Sequence, residues 1–434
     1  MMAKINIFWF RRDLRLHDNR GFFEALQSDL PVLPVFIFDK KILSKLNARD
    51  DARVTFIHKQ VQKIKNALEE AGSSLKVVFS TPLEAFEILI EEFNIHKVFA
   101  NKDYEPETTN RDNEINAFLQ SRNIGFSMYK DHVIFEENDI VKDNGEPYTV
   151  FTPYSRKWKT QLGNQEIPYY PSERLLRNLM KTSPFWFPRL NDIGFENSTI
   201  EVPDPNFSES LISNYKNTRD LPALDGTSRI GVHLRFGTVS IREVTKIARE
   251  MSQTFLNELI WRNFFIDILF HFPHVVQNSF KPKYDFIAWR NNEKEFEKWC
   301  GGETGFPMVD AGMRELNKTG FMHNRVRMVT ASFLVKHLLI DWRWGEAYFA
   351  EKLLDYELAS NNGNWQWAAG CGCDAAPYFR IFNPESQQKN FDPKGEYILK
   401  WVPEYGTVNY PNPIVDHKFA RERVMKVFKE ALNI

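Results

Sequence analysis

Residues 258–262 combine a carboxylate, an indole and a guanidinium at helical spacing. Glu258, Trp261 and Arg262 stand at i, i+3 and i+4, so the three side chains would share one face of a helix. A carboxylate on a mostly apolar helix is costly to bury without a partner. It could hydrogen-bond a ligand or donate a proton with a raised pKa. A surface ion pair between Glu258 and Arg262 explains this segment equally well.

Residues 322–328 repeat this spacing with different side chains. Asn324, Arg327 and Met328 bring an amide, a guanidinium and a thioether to one face, while Arg325 points about a quarter-turn away and offers a free cation on the neighbouring face. This combination suits a pocket for a planar heteroaromatic ligand, with a phosphate contact at its rim. An amphipathic helix with a salt-bridged arginine is the alternative.

The densest polar stretch, DYELASNNGNWQW, spans residues 355–367. Its NNGN run predicts a break in the helix, so polar side chains and backbone would face whatever lies there. Asp355 and Glu357 could accept hydrogen bonds from ring N–H groups. Because an apolar and nearly uncharged stretch follows at residues 368–382, we predict a buried site here.

A weaker signal is the run DGTSRIG at residues 225–231, which places hydroxyls and small residues ahead of a helical stretch. Amides and hydroxyls at a helix start, with help from Arg229, could hold a phosphate. An ordinary helix cap without a ligand explains the same pattern more simply.

Aromatic residues are unusually common, since 37 Phe, 14 Tyr and 11 Trp make up 14% of the 434 residues. Eight of the tryptophans lie between Trp261 and Trp401. This clustering indicates stacking or redox chemistry, and a core built from large rings is the alternative.

Composition and charge exclude several classes of protein. A charged fraction of 26% and an apolar fraction of 43% are typical of globular chains with ample buried core. The net charge of -1 excludes a polybasic nucleic-acid coat but not a local basic groove. Three cysteines exclude a disulfide framework and no Cys/His set completes a zinc site, so we predict no metal and a cytoplasmic protein with reduced thiols. No apolar run is long enough to span a membrane.

The elements that must position these residues fall into three regions. Short apolar runs alternate with helical patterns in the first region, which predicts an α/β domain with a parallel sheet. Prolines punctuate residues 135–205, which indicates a long linker, and the chain beyond about residue 207 has a helical pattern. No GxGxxG follows the first strand, so an ordinary dinucleotide-binding fingerprint is absent. The predicted strands are 5–10, 32–38, 75–80 and 97–100, and the predicted helices are 51–71, 82–94, 107–121, 239–250, 252–270, 307–318, 323–340 and 345–358.

In their order and spacing these motifs resemble the photolyase/cryptochrome family, and class I cyclobutane pyrimidine dimer photolyases in particular. The resemblance covers nearly the whole chain. It rests on the motifs FWFRRDLRLHDN (8–19), DGTSR (225–229), ELIWR (258–262), MHNRVRM (322–328), NNGNWQW (361–367) and DAAPYFRIFNP (374–384).

The resemblance implies an α/β domain with a Rossmann-like, parallel five-stranded sheet at 1–132, a linker at 133–206 and an all-α FAD-binding and lesion-binding domain at 207–434. Trp289, Trp342 and Trp365 match the family's electron relay, and Glu258 and Asn361 match catalytic positions. The implied FAD contacts are Tyr215, Thr227, Ser228, Arg229, Ile230, Glu258, Arg262, Asn324, Arg327, Asp355, Glu357 and Asn361. The implied lesion and DNA contacts are Arg219, Glu258, Trp261, Asn324, Arg325, Met328 and Trp367.

The reaction implied by the resemblance is light-driven DNA repair. Fully reduced anionic FAD, excited by blue or near-UV light, would give one electron to a cyclobutane dimer flipped out of DNA, and the electron would return after the ring splits. The expected partner is UV-damaged DNA, double-stranded rather than single-stranded. The expected protein is a monomer that does not associate with membranes.

Other members of the family are alternatives. A (6-4) photolyase would carry histidines where Asn324 and Met328 stand, and a plant cryptochrome photoreceptor would carry an acidic residue at the position of Asn361. A DASH-type member fits the motifs less closely. The segment DYEPET at 103–108 lacks the Asn–Glu pair of folate-binding relatives, so a second, antenna chromophore could be a deazaflavin, a flavin or absent. Glu357 stands where relatives usually have Asp.

Overall fold

The strand β1 (Lys4–Phe10) lies at the centre of a five-stranded parallel sheet with the order β3-β2-β1-β4-β5. Its residues are buried from Ile5 onward, which is typical of a parallel sheet covered on both faces. Phe8 lies beside Pro34 on one side and Phe99 on the other. The prediction of a parallel five-stranded sheet is confirmed. The other strands are β2 (Val32–Asp39), β3 (Lys76–Ser80), β4 (Asn94–Asn101) and β5 (Gly125–Tyr129).

The computed structural model describes residues 3–163 and 165–433. Its α-helices, in chain order, are α1 (Arg20–Leu26), α2 (Lys40–Leu43), α3 (Ala52–Glu70), α4 (Pro82–Glu92), α5 (Pro106–Gln120), α6 (Phe151–Leu162), α7 (Glu209–Thr218), α8 (Gly231–Phe236), α9 (Ile241–Met251), α10 (Gln253–His271), α11 (Glu293–Gly301), α12 (Pro307–Thr319), α13 (Asn324–Ser332), α14 (Trp342–Lys352), α15 (Leu358–Ala369), α16 (Pro384–Phe391), α17 (Glu396–Trp401) and α18 (His417–Leu432). Short 3-10 helices lie at Ser172–Arg174, Leu176–Asn178, Leu190–Ile193, Pro273–Val276 and Pro282–Phe286, and a π-helix lies at Phe333–His337.

The chain divides into two compact units whose segments alternate along the sequence. The first unit contains the sheet and comprises Met1–Asp139, Leu162–Pro205 and Ile230–Glu250. The second unit comprises Ile140–Gln161, Asn206–Arg229 and Met251–Ile434. The predicted domain boundaries at residues 132 and 206 stay a prediction.

Three helices of the sheet unit, α3, α4 and α5, begin within one residue of their predicted starts, whereas α1, α2 and α8 were not predicted. Capping side chains mark the starts of α3 and α4. Asp51 accepts a hydrogen bond from the amide of Arg53 at the start of α3. Thr81 and Glu84 form a reciprocal capping box ahead of α4, with Pro82 in its first turn. Ala85, Phe86 and Leu89 of α4 belong to the core of the sheet.

The regular elements among the described residues of the second unit are helices, apart from an isolated β-bridge between Val141 and Pro147, and its core is rich in aromatic rings. Trp299, Trp342 and Trp365 are all buried there, together with Phe333 and Phe349. The tryptophan cluster that the sequence shows is therefore partly a packing core, as the simpler interpretation expected.

The predicted break at NNGN is wrong, because α15 runs without interruption from Leu358 to Ala369. Gly363 is the residue that suggested the break. A Cβ added at Gly363 would lie 2.2 Å from Cδ1 of Phe265, so the glycine lets α15 pack closely against α10. The glycine therefore serves helix packing rather than helix termination.

The second departure is α6, which lies within the region predicted as an irregular linker. Pro153 stands in its first turn, where a helix tolerates proline. Phe151, Tyr154 and Trp158 stand at i, i+3 and i+7, and they face α10 through ring contacts and hydrogen bonds. The prolines of this region favoured a linker, although these three aromatic residues have helical spacing.

Candidate active site

Two cavities of the second unit share a wall formed by α13 and α15. The first has a volume of about 590 Å³ and the second about 1080 Å³. Both lie within the size range of cofactor and ligand sites or just above it. The residues common to both are Asn324, Met328, Ser360, Asn364 and Trp367.

The predicted site residues divide between these cavities. Five residues predicted to contact FAD line the first cavity, and six other predicted residues line the second, two of them on the shared wall. Those in the first are Asn324, Arg327, Asp355, Glu357 and Asn361, with the relay residue Trp365. Those in the second are Arg219, Glu258, Trp261, Arg262, Met328 and Trp367.

Two ion pairs stiffen the walls of the first cavity. Arg327 donates from Nη2 to both carboxylate oxygens of Asp355, at 2.9 and 3.1 Å. Arg262 donates from Nη2 to Oε1 of Glu357 at 2.8 Å, and Ser360 donates to the other oxygen of Glu357 at 3.0 Å. Because each guanidinium faces a carboxylate, the cavity wall is polar but close to neutral.

Asn361 stands in the second turn of α15 with its amide group committed to Glu346. Its Nδ2 donates to Oε1 of Glu346 at 2.8 Å and to the backbone oxygen of Glu346 at 3.1 Å. Burial raises the pKa of Glu346, and the hydrogen bond from Asn361 opposes that shift. With Nδ2 so used, the group that Asn361 can offer to a ligand is its carbonyl oxygen.

Glu258 and Arg219 form a close ion pair on the wall of the second cavity. Burial raises the pKa of Glu258, while the positive charge of Arg219 lowers it. Arg219, predicted to meet the DNA backbone, is thus engaged with the carboxylate that was predicted to meet the lesion.

The two indoles predicted as lesion walls have different surroundings. Phe151 stacks on Trp261 with ring centroids 3.6 Å apart and planes inclined by 4°. Trp367 has the guanidinium of Arg380 at 5.7 Å from its ring centroid and Phe382 at 6.5 Å. Both tryptophans are half-buried, so each keeps surface for a ligand.

The predicted relay tryptophans form a gradient of burial. Trp342 and Trp365 are buried and Trp289 is half-buried. The ring of Trp365 lies 6.1 Å from that of Trp299 and 5.0 Å from that of Phe349. The guanidinium of Arg343 lies 4.8 Å from the ring of Trp342.

The residues predicted to hold the phosphates of the cofactor do not line either cavity in the described part of the chain. Arg229 adopts a left-handed conformation with φ 49°, and its guanidinium lies 4.7 Å from the ring of Phe321. It also pairs with Asp225 at 3.3 Å. The ring of Tyr215 packs edge-on against Phe255 at 5.0 Å. Thr227 is half-buried, and Ser228 and Ile230 are buried.

Arg325 is also held away from both cavities. Its Nη2 donates to Asp220 at 2.7 Å, and its guanidinium lies 4.2 Å from the ring of Phe391. A free cation at this helix face, as the sequence predicts, is therefore not what the structure shows.

Comparisons with known proteins bear on this arrangement. A family model described as DNA photolyase matches residues 6–172, and one described as the FAD binding domain of DNA photolyase matches residues 255–409. The deoxyribodipyrimidine photo-lyase of Halobacterium salinarum is 35% identical over 98% of this chain and 99% of its own length. That of Escherichia coli is 35% identical over 98% of each chain.

The chain belongs to the photolyase/cryptochrome family. A bacterial class III photolyase from Agrobacterium tumefaciens has a similar structure, with a TM-score of 0.87, 32% identity and coverage of 100% of this chain and 99% of its own. An archaeal photolyase from Sulfolobus tokodaii, solved with two FAD molecules, has a TM-score of 0.83 and 32% identity over 99% of this chain and 100% of its own.

The cofactor that the photolyase family implies, FAD, fits the residues of the first cavity. Amide, carboxylate and guanidinium groups surround it, and apolar side chains such as Phe349, Leu353 and Ala331 complete the wall. Such a mixture suits a ring system that carries both polar edges and flat apolar faces. The described residues contain no cluster of three or more metal-ligating side chains. No helix among them is long and apolar enough to cross a membrane.

Several residues that line the cavities were not predicted from the sequence. Thr254 and Asn257 line the second cavity one turn before Glu258 and Trp261, and Asn364 lies one turn after Asn361. Helical periodicity extended by one turn could have found all three. Phe151 could not be found this way, because its neighbour Trp261 is remote in sequence.

The first unit of the chain has a large cavity of its own, about 910 Å³. It lies at the carboxyl ends of β1 and β2, where open α/β sheets commonly bind ligands. The polar part of its lining is a cluster of ion pairs. Arg12 donates to Asp103 and to Glu105 at 3.0 Å, and Arg235 donates to the same Glu105 at 3.0 Å. Apolar and aromatic side chains, among them Trp9 and Phe38, form the rest.

Proposed function

We propose that the protein is a light-dependent DNA repair enzyme that splits cyclobutane pyrimidine dimers in double-stranded DNA. The observation that carries this proposal is the shared wall of the two cavities. Asn324, Met328 and Trp367 face both, so a ligand in one cavity and a ligand in the other would be neighbours. Short-range electron transfer between a cofactor and a flipped-out lesion requires this adjacency.

The first cavity is the proposed FAD site, with Arg327, Asp355, Arg262, Glu357 and Asn361 as contacts. When bound in its fully reduced anionic form, FAD supplies the light-excited electron that opens the cyclobutane ring. The ion pairs keep the guanidinium and carboxylate groups in place, so the site is preorganised. Asn361 presents a carbonyl oxygen, which accepts a hydrogen bond from a ring N–H. The proposed diphosphate contacts line neither cavity and are Tyr215, Thr227, Ser228, Arg229 and Ile230.

The second cavity is the proposed lesion site. Trp261 and Trp367 supply flat apolar walls for unstacked bases, and stacking of this kind contributes roughly 1–3 kcal/mol per base. Glu258, whose pKa is raised by burial, can donate a hydrogen bond to a carbonyl of the dimer when it is protonated. Arg219 and Arg325 are the proposed contacts for the DNA backbone, and both would exchange an acidic partner for a phosphate.

Asn324 and Met328 favour cyclobutane dimers over (6-4) products. Both side chains stand on the wall between the cavities. An amide can hydrogen-bond a pyrimidine carbonyl and a thioether can pack against its ring, but neither can act as the acid–base catalyst that a histidine supplies.

Other assignments complete the proposal. Trp365, Trp342 and Trp289 form the relay that carries electrons inward from the surface. The cavity of the first unit holds a second chromophore with a flat ring and hydrogen-bond donors that face Asp103 and Glu105. The domains span residues 1–132 and 207–434 with a linker between them, and the protein acts as a cytoplasmic monomer.

The decisive experiment measures repair directly. Purified protein, reduced with dithionite, is mixed with a duplex oligonucleotide that carries one cyclobutane thymine dimer and is exposed to blue light. Light-dependent loss of the dimer is the expected result. A second duplex with a (6-4) product and a dark sample serve as controls. Repair of the (6-4) duplex alone, or no light-dependent repair, would contradict the proposal.

A further inference from the structure

The ring of Phe151 lies flat against Trp261, at the edge of the second cavity. The centroid separation of 3.6 Å and the inclination of 4° describe a nearly parallel stack. Phe151 itself lines the second cavity. Two further rings hold the same indole, since Phe265 lies 5.4 Å from Trp261 and Phe264 meets it edge-on at 5.7 Å.

Phe151 is held in place from two directions. Its backbone amide donates to Oδ2 of Asp374 at 2.9 Å, which caps the start of α6. One and two turns further along α6, Tyr154 donates to Asp267 at 2.6 Å and Trp158 donates to Asn263 at 3.2 Å. Tyr154 and Trp158 are both buried, so α6 is anchored along α10 beneath the stack.

The capping bond also links the two walls of the second cavity. Asp374 belongs to the segment that follows Trp367, and this same segment places Arg380 and Phe382 against the ring of Trp367. Phe151 thus touches one wall through its ring and is bonded through its amide to the segment that supports the other wall.

We propose that Phe151 is a positioning residue for lesion recognition, which fixes the plane of the Trp261 indole. This inference rests on the proposed function, because it assumes that Trp261 stacks on a flipped-out base. Trp261 is half-buried and lines the cavity, where an indole without a backing ring could rotate. Parallel and edge contacts between aromatic rings stabilise one orientation by about 0.5–1.5 kcal/mol each, beyond the area they bury.

A rigid Trp261 matters for discrimination between damaged and undamaged DNA. Contacts with the DNA backbone are the same for both duplexes, whereas a flipped base gains stacking energy only if the indole already has the right orientation. Loss of the backing ring therefore weakens binding to damaged DNA and leaves binding to undamaged DNA unchanged.

The test compares three variants with the wild type. Phe151→Leu removes the ring at similar volume, Phe151→Tyr retains a ring, and Tyr154→Phe removes only the hydrogen bond to Asp267. Dissociation constants in the dark are measured for two duplexes that differ only in one cyclobutane dimer. The measured ratio is the dissociation constant for the undamaged duplex divided by that for the damaged duplex. For Phe151→Leu we expect this ratio to fall about three- to tenfold, as the loss of one such ring contact implies.

The expected pattern separates positioning from folding. Phe151→Tyr and Tyr154→Phe should both keep the wild-type ratio within about twofold, although Tyr154→Phe lowers the melting temperature. Under constant light, Phe151→Leu should raise KM for the dimer and leave kcat at saturating dimer unchanged. The tryptophan bands in the near-ultraviolet circular dichroism of the apoprotein should change in Phe151→Leu and not in Tyr154→Phe.

Two results would overturn the inference. An unchanged ratio in Phe151→Leu would show that Trp261 needs no backing ring. An equal fall of this ratio in Tyr154→Phe would show that the docking of α6 on α10 matters and that the stack of Phe151 on Trp261 does not. Equal binding of both duplexes by the wild type would instead refute the proposed function, and the role of Phe151 with it.

Discussion

Asn361 donates a hydrogen bond from Nδ2 to Oε1 of Glu346 at 2.8 Å, so a half-buried carboxylate on α14 orients the amide on α15. Only one orientation of the Asn361 amide satisfies this contact, and it turns the carbonyl oxygen away from Glu346. The residue before Glu346 supports the arrangement, because Gly345 lets the ring of Trp365 approach closely.

Replacing Glu346 should release the amide of Asn361. In Glu346→Leu a buried N–H group loses its acceptor, so the free energy of unfolding should fall by roughly 1–3 kcal/mol. Bound flavin in its reduced form should also be reoxidised by air more quickly than in the wild type. Urea unfolding of the apoprotein and the return of visible flavin absorption measure the two effects. Glu351→Gln, an exposed carboxylate on the same helix, is the matched control, and equal reoxidation rates in both variants would contradict the prediction.

Glu258→Gln should separate lesion chemistry from cofactor binding. The amide keeps the shape of the side chain but loses the charge that pairs with Arg219, and a hydrogen bond involving a charged group contributes about 1.5–3 kcal/mol. We expect normal FAD content and a repair yield per absorbed photon that is lower by severalfold. Glu250→Gln, an exposed carboxylate on α9, should repair normally. An unchanged yield in Glu258→Gln would rule out its role at the dimer.

Trp342→Phe should abolish photoreduction in vitro without abolishing repair. Phenylalanine keeps an aromatic ring but is not oxidised readily, so the relay would be interrupted between Trp365 and Trp289. Repair should persist when the flavin is reduced chemically. Trp299→Phe is the matched control, because Trp299 is equally buried and its ring also contacts Trp365. If Trp299→Phe lost photoreduction and Trp342→Phe kept it, electrons would travel through Trp299 and not through Trp342.

His323 should make stability depend on acidic pH. Burial lowers the pKa of His323 to about 4, and the positive charges of Arg327, Arg325 and Arg219 act in the same direction against Asp220. Its Nδ1 accepts a hydrogen bond from the amide of Arg325 and so caps α13. Only the neutral imidazole can accept this bond.

The lowered pKa of His323 sets the direction in which stability changes with pH. The unfolded chain takes up the proton near pH 6.5, so stability is highest above this pH and is lost as the pH falls toward 4. The loss should amount to roughly 2–3 kcal/mol relative to His323→Asn, which keeps a capping side chain that does not titrate. Urea unfolding at several pH values measures this difference. A constant difference between wild type and variant from pH 7 to pH 4 would contradict the prediction.

Much of the fold follows from local patterns. The buried runs of β1 and β2 and the capped starts of α3 and α4 lie where the sequence predicts them, since strand burial and helix capping depend on near neighbours. The NNGN prediction failed for the opposite reason. Gly363 looks like a helix breaker when only its neighbours are considered, but its role is set by Phe265 on another helix.

The sequence by itself determined which side chains share a helix face. Glu258 with Trp261, and Asn324 with Met328, line a cavity together because the helical repeat places them so. Only the tertiary structure decided how these faces are paired. Arg262 meets Glu357, Arg219 meets Glu258 and Phe151 stacks on Trp261 because separate helices pack against one another. Such contacts depend on packing between segments remote in sequence, which no local spacing encodes.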